Sequence, residues 1–166
     1  MPDLLLLRHA KSDWKDSSHA DMDRPLNPRG QKAARAMGRF LATRPPVDML
    51  WASPAARVQE TVRGIRKVTD VLPDQQIVQA LYGASVRTLL DLLHQARGQR
   101  LLMVGHNPGM HELAMRLSDG RASEARERML AKYPTGSLAE LRFDGEWADL
   151  REGGAELTGF TRPRDL

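Results

Sequence analysis

The sequence predicts an α/β fold, a three-layer sandwich in which a mostly parallel central sheet is covered by helices on both faces. Three observations carry that expectation. The apolar runs Leu4–Leu7, Met49–Ala52 and Leu101–Val104 are short and carry no polar face, as strands buried on both sides require. Segments with apolar residues at i, i+3, i+4 and i+7 lie between them, which is helical periodicity. Strand and helix alternate along the chain, the pattern that builds parallel sheets.

Taken in order, Leu4–Leu7 is the first strand, and the polar stretch from Lys11 to Arg24 has no period and reads as a loop. Asn27-Pro28 supplies a helix cap and a first-turn proline. After it Ala33, Ala36, Met37, Phe40 and Leu41 recur at helical spacing until Pro45-Pro46 closes the helix. Met49–Ala52 is a second strand. Ser53-Pro54 repeats the cap-plus-proline signature and predicts a helix running to about Thr69. Ile77-Val78 is a weak third strand, and Val86, Leu89, Leu90 and Leu93 mark another helix. Leu101–Val104, closed by Gly105, is a fourth strand. Met110, Leu113, Ala114 and Leu117 form the stripe of the helix after Pro108. Ser123 to Lys132 is helix-like but mixed in charge, and the role of the chain after Gly120 stays open. Leu138–Phe143 and Ala155–Phe160 alternate as edge strands do, with a turn at Asp144-Gly145.

Composition narrows the function. The 166 residues suit one domain spanning 1–166. No apolar run approaches the length of a membrane span, and Asp3 before Leu4–Leu7 with Arg8 after it argues against a secretory leader. Cysteine is absent, so disulfides, thiolate metal sites and thiol nucleophiles are excluded. The expected location is the cytoplasm. Lys plus Arg number 25 against 21 acids, a net charge of +4. The two signs are interspersed and aromatics are few, which fits phosphorylated or acidic partners better than nucleic acid.

In an open α/β sheet, ligands bind beyond the carboxyl ends of the strands. The residues following each apolar run are Arg8-His9, then Ser53-Pro54-Ala55-Ala56-Arg57, then Gly105-His106-Asn107-Pro108-Gly109. Two arginines and two histidines therefore converge from three segments. Alone, each reads as an ordinary structural or solvated residue. Together they repel unless an anion lies among them, and arginine forks with helix N-termini suit phosphate. No Gly-x-x-x-x-Gly-Lys loop is present. A neutral imidazole can attack phosphorus and carry the phosphoryl group covalently, while the other cations stabilise transition-state charge. No metal or other cofactor is called for. Near His9 only Asp13 and Asp16 offer carboxylates, without a metal-ligand spacing.

Leu4–Leu7 followed by Arg8-His9-Ala10-Lys11, then Ser53-x-x-x-Arg57-x-x-x-Thr61, then Val104-Gly105-His106-Asn107-Pro108 resembles the histidine phosphatase (phosphoglycerate-mutase-like) superfamily. The short length and the Arg-His-Ala-Lys-Ser start are most similar to the SixA-type phosphohistidine phosphatases. The resemblance implies that His9 is the transiently phosphorylated nucleophile and that Arg8, Arg57 and His106 clamp the phosphate. Ser12 and Asn107 are further candidates for substrate contact. The usual Arg-His-Gly is Arg-His-Ala here, and the Asn that many members carry six residues after the nucleophile is Lys15.

Members acting on phosphate monoesters place a carboxylate after the third strand to protonate the leaving alkoxide. Here Ala80 to Val86 holds no Asp or Glu, although Asp21, Asp23 or Glu112 could fold inward. The missing acid favours P–N over P–O cleavage. The expectation is a metal-independent phosphatase that removes phosphate from protein phosphohistidine. A small-molecule phosphomonoesterase and a non-catalytic phosphate-binding module are the alternatives.

Overall fold

Leu4, Leu5, Leu6 and Leu7 have no solvent exposure, so the strand they form must be covered on both faces. In the computed structural model, which describes residues 1–166, that strand is β1 (Asp3–Arg8). The other strands are β2 (Met49–Ala52), β3 (Gln75–Ile77), β4 (Arg100–Gly105), β5 (Leu138–Phe143) and β6 (Ala155–Thr161). They form one sheet in the order β3-β2-β4-β1-β5-β6. The first four run parallel, β5 is antiparallel to β1, and β6 is antiparallel to β5.

Alternate leucines of β1 serve opposite faces. Leu5 and Leu7 meet Met37 and Leu41 of α1 (Pro28–Leu41) and Val58, Val62 and Ile65 of α2 (Ala56–Arg66). Leu4 and Leu6 join the core built by α3 (Val86–Leu93), α4 (Gly109–Leu117) and α5 (Glu124–Ala131). Period-two alternation across a pleated strand thus produces the three layers.

Local signals explain most boundaries. Asn27 Oδ1 accepts from Gly30 N at 2.8 Å with Pro28 at the first helical position, which satisfies a donor that the helix cannot. Two readings need correction. Ser53 does not cap α2: the helix starts at Ala56 behind Ala55, which gives no side-chain cap, and it ends at Arg66 rather than Thr69. The Ser53 side chain is drawn instead toward a histidine described below. β5 is not an edge strand either, because it lies between β1 and β6; its alternation reflects the register with β1, and only Arg142 along it is exposed.

The two ends of the sheet differ in charge. At the amino end of β1 and β4, Asp3 pairs with Arg100 and Arg142, each at 2.7 Å, and Glu140 with Arg44 at 2.8 Å. At the opposite end the chain is gripped through its backbone. His9 N donates to Gly105 O at 3.0 Å, Arg8 N to Ser137 O at 3.0 Å, and Gly136 N to His9 O at 2.8 Å. Gly136 has φ +77, a conformation that costs a side-chain-bearing residue about 1–2 kcal/mol. Asn27 N donates to Lys11 O at 3.0 Å, drawing the start of α1 against the loop after β1.

That approach depends on Gly30. A Cβ built there would lie 2.1 Å from Lys11 O, a backbone atom that cannot swing away. Gly30→Ala is expected to lower unfolding free energy by about 1–3 kcal/mol, as overpacking does. Urea denaturation with the m-value held constant measures it; an unchanged midpoint would show that the loop yields freely.

Candidate active site

β1 ends in Arg8 and His9, β4 in Gly105 and His106, and the turn after β2 delivers Arg57 to the first turn of α2. All four meet at one end of the sheet. They line a pocket of about 320 Å³ together with Ser12 and Asn107. The sequence-derived candidates are therefore assembled in space. Lys11, Trp14, Arg24 and Thr135 line the same pocket.

His9 is 7% exposed, and its ring centroid stands 5.3 Å from that of His106. Its Nδ1 lies 2.7 Å from Ala10 O. A carbonyl can only accept, so Nδ1 carries the proton and Nε2 keeps its lone pair. Burial pushes the His9 pKa down to about 3, and His106, Arg57 and Arg8 push in the same direction against the opposing bond to Ala10. His9 is a neutral imidazole with its tautomer set by the backbone.

His106 is tied on both sides. Arg57 donates to Nδ1 at 3.3 Å, so Nε2–H donates to Ser53 Oγ at 2.7 Å. Its pKa falls to about 4, by burial first and then the Arg57 charge, with Asp21 working the other way. Ser53 stood inside the predicted motif but was read as a cap; the bond to His106 is its actual use. Thr61 works at the backbone. It accepts from Ala10 N at 3.0 Å and donates to Arg57 O at 2.7 Å, so one hydroxyl links the loop after β1 to α2.

Arg8 donates from Nη1 to Tyr133 O at 2.9 Å, and Asn107 Nδ2 donates to the same carbonyl at 3.1 Å. Asn107 Oδ1 accepts from His111 N at 3.3 Å, so the amide is engaged by backbone at both ends. Tyr133 is fully buried; its hydroxyl donates to Leu6 O and accepts from Ala139 N at 3.1 Å. The chain after Gly120, silent in the sequence, thus supplies the carbonyl that aims Arg8. The Nε groups of Arg8 and Arg57 are buried without a protein acceptor. Arg8 and Arg57 both line the pocket, and two guanidinium groups at one cavity suit an anion.

Several groups were missed or left open by sequence. Asp21, on a short 3-10 turn at Asp21–Asp23, does fold inward. Its carbonyl accepts from Arg57 at 2.7 Å, and its carboxylate meets Arg57 at 3.2 Å, Arg24 at 2.7 Å and the Tyr82 hydroxyl. The Tyr82 hydrogen bond first, opposed by burial and reinforced by Arg24 and Arg57, holds this carboxyl well below the usual carboxylate range. Arg24 is buried; it donates to Ser12 Oγ at 3.2 Å and lies under the exposed Trp14 ring at 3.7 Å. Asp23 and Glu112 are exposed, and Lys15 does not line the pocket. Asp21 and Arg24 stand three residues apart, but nothing in their spacing announced the meeting with Tyr82 and Arg57.

With this geometry established, comparison places the chain among known proteins. Residues 4–84 match the histidine phosphatase superfamily (branch 1). An uncharacterised protein of Mycobacterium tuberculosis is 37% identical over 163 residues, covering 95% of this chain and 100% of that protein. A solved structure from Nakamurella multipartitia, described as a candidate phosphohistidine phosphatase SixA, superposes with TM-score 0.85 at 30% identity over 98% of this chain and 96% of that one. A second SixA candidate, from Agrobacterium tumefaciens, gives 0.79 at 28% identity over 97% and 98%.

The depressed histidine values have a sign that can be checked. An unfolded histidine protonates below about 6.5, whereas His9 and His106 stay neutral in the fold down to about 3 and about 4. The unfolded chain then binds more protons, so stability is full above that pH and falls as the medium is acidified. Each histidine contributes a slope of about 1.4 kcal/mol per pH unit between the two values. Urea denaturation from pH 7 to 4.5 should show a shallower slope in His9→Gln than in the wild type. Parallel slopes would mean that His9 is protonated in the fold.

Proposed function

This chain belongs to the histidine phosphatase superfamily, in its SixA-type group, and is a phosphatase; we propose that it removes phosphate from protein phosphohistidine through a phosphohistidine intermediate on His9. The observation that carries the mechanism is the His9 Nδ1–H bond to Ala10 O at 2.7 Å. It leaves Nε2 as an unprotonated nucleophile in a pocket rich in cations.

In this reading residues 1–166 act as one catalytic unit. The substrate phosphate lies against Arg8 and Arg57, whose buried Nε donors have no acceptor in the protein. The dianion offsets the Arg57 charge that adds to burial in keeping His106 neutral, so His106 takes up a solvent proton on Nδ1 as the bond from Arg57 gives way and donates it to the phosphate. The His9 Nε2 lone pair forms a bond to phosphorus as the bond to the leaving nitrogen breaks. That electron pair returns to the substrate imidazole, which departs neutral once its other nitrogen has taken a proton from solvent. Water then attacks phosphorus, the His9–phosphorus bond breaks, Nε2 recovers its pair, and the water proton leaves on inorganic phosphate. Cationic side chains stabilise the charge throughout, with no step assigned to a metal ion.

The substrate class rests on the leaving-group side. Asp21 is the one acid at Arg57, and its contacts keep it ionised. An ionised carboxylate has no proton for a departing alkoxide, whereas the phosphohistidine ring can take its proton from solvent on the nitrogen remote from phosphorus. The name of the Nakamurella relative points to the same substrate. Asp21 also shares the Arg57 donors with the incoming phosphate, so it holds the guanidinium in place between turnovers.

The test is dephosphorylation of a phosphohistidine-bearing carrier beside a simple alkyl phosphate, with EDTA present. Fast loss from the carrier, slow alkyl turnover, and no turnover or labelled phosphoenzyme in His9→Ala are the expected outcomes. Equal or faster alkyl hydrolysis would make the enzyme a small-molecule phosphomonoesterase. No turnover of either substrate would reduce the pocket to a phosphate-binding module. Arg57→Ala is expected to lose about 3 kcal/mol of transition-state stabilisation, a kcat drop of about 10²–10³. Asp21→Asn should leave the ratio of carrier to alkyl rates unchanged, and a fall in alkyl turnover alone would identify Asp21 as a general acid.

A further inference from the structure

A larger groove of about 530 Å³ adjoins the catalytic pocket and shares Arg8, Lys11 and Thr135 with it. It lies beyond the β1, β5 and β6 side of the same sheet end. Its cations are Arg8, Lys11, Arg29, Lys132, Arg162 and Arg164, drawn from β1 and its loop, the first turn of α1, the residue after α5 and the turn after β6. No Asp or Glu lines it. Asp165 pairs with Arg162 at 2.9 Å; the other five cations have no carboxylate within 4.0 Å.

That arrangement contrasts with the far end of the sheet, where Arg44, Arg100 and Arg142 all have acid partners. Interspersed charges on a chain of net +4 would ordinarily pair. Here like charges from segments distant in sequence are brought to one concavity and left facing it. Such a cluster lowers its own repulsion by taking up an anion, and concave walls concentrate the field. The groove has the size of a small-ligand site, yet Ala33 is its one hydrophobic lining residue.

We propose that this groove is a second anion subsite, holding a further phosphoryl or carboxylate group of the same substrate while the reacting phosphate sits on Arg8 and Arg57. The inference rests on the phosphatase reading of the adjoining pocket and adds a requirement to it: the preferred substrate is multiply anionic. Arg8 bridges the two sites. Its Nη1 is committed to Tyr133 O, so the guanidinium is anchored between two anions and does not have to follow either one. The second group arrives from one of two sources: acidic side chains beside a phosphohistidine, or a neighbouring phosphoryl group on a small molecule.

Arg29, Lys132 and Arg164 are exposed and make no side-chain hydrogen bond or ion pair, so replacing them leaves the packing intact. The experiment is calorimetric titration of the His9→Ala protein, which cannot turn ligand over, with inorganic phosphate, tripolyphosphate and hexaglutamate. The same titrations follow in a protein that also carries Arg29→Gln and Arg164→Gln. Two to three added charge contacts predict that tripolyphosphate binds about tenfold tighter than phosphate. In the double variant that advantage should fall to about twofold, with phosphate affinity itself changed by less than about twofold. Hexaglutamate binding that the double variant loses would assign the subsite to carboxylates of a protein substrate as well; binding of tripolyphosphate alone would assign it to phosphoryl groups. Equal affinity for phosphate and tripolyphosphate, or an advantage that survives the double variant, overturns the subsite. Because no turnover is read, failure of the phosphohistidine reaction and failure of the subsite are separate results.

Discussion

The site hangs on a backbone grip around residues 8 to 11. β4 holds His9 N, the loop before β5 holds Arg8 N and both carbonyls of Arg8 and His9, Thr61 of α2 holds Ala10 N, and Asn27 ahead of α1 holds Lys11 O. Each bond satisfies a buried main-chain group that would otherwise lose stability. Each also comes from a different part of the chain, so His9 is fixed by the whole sheet end rather than by its own loop. Chemistry at phosphorus tolerates little misplacement, and this grip supplies the rigidity on which the cationic side chains depend.

Charge follows from that geometry. Burial first, and then the charges of Arg57 and Arg8, hold both imidazoles in the neutral form. For His9 this is useful directly, since only a neutral ring is nucleophilic. For His106, in the proposed reaction, it makes protonation conditional on a bound anion. Asp21 offsets part of the cationic field without supplying a labile proton. The same balance fails in the adjoining groove, where five cations have no acid to meet.

Legibility followed the range of each cause. Strand β1, the Asn27 cap and the stripes of α1, α3 and α4 were readable because they arise from residues within one or two turns of each other. The convergence of Arg8, His9, Arg57 and His106 was also readable, since strand ends in a parallel sheet share one edge. Ser53 shows where such reasoning misleads. Its local signature is that of a helix cap, but His106, remote in sequence, competes for the same hydroxyl and wins. Leu138–Phe143 misled in another way, because alternation describes the two faces of a strand and says nothing about whether a neighbour pairs with its edge.

What the sequence determined by itself is the α/β layering and the meeting of Arg8, His9, Arg57 and His106 at one sheet end, both of which depend on local periodicity and on which groups follow each strand. Only the tertiary structure decided that Tyr133 aims Arg8, that Asp21 enters ionised beside Arg24 and Tyr82, and that cations from β1, α1, α5 and β6 form a groove. The Asp21–Tyr82 and Arg8–Tyr133 contacts join residues 61 and 125 positions apart. Burial, charge and direction at such distances are properties of packed layers, and no pattern of neighbouring residues encodes them.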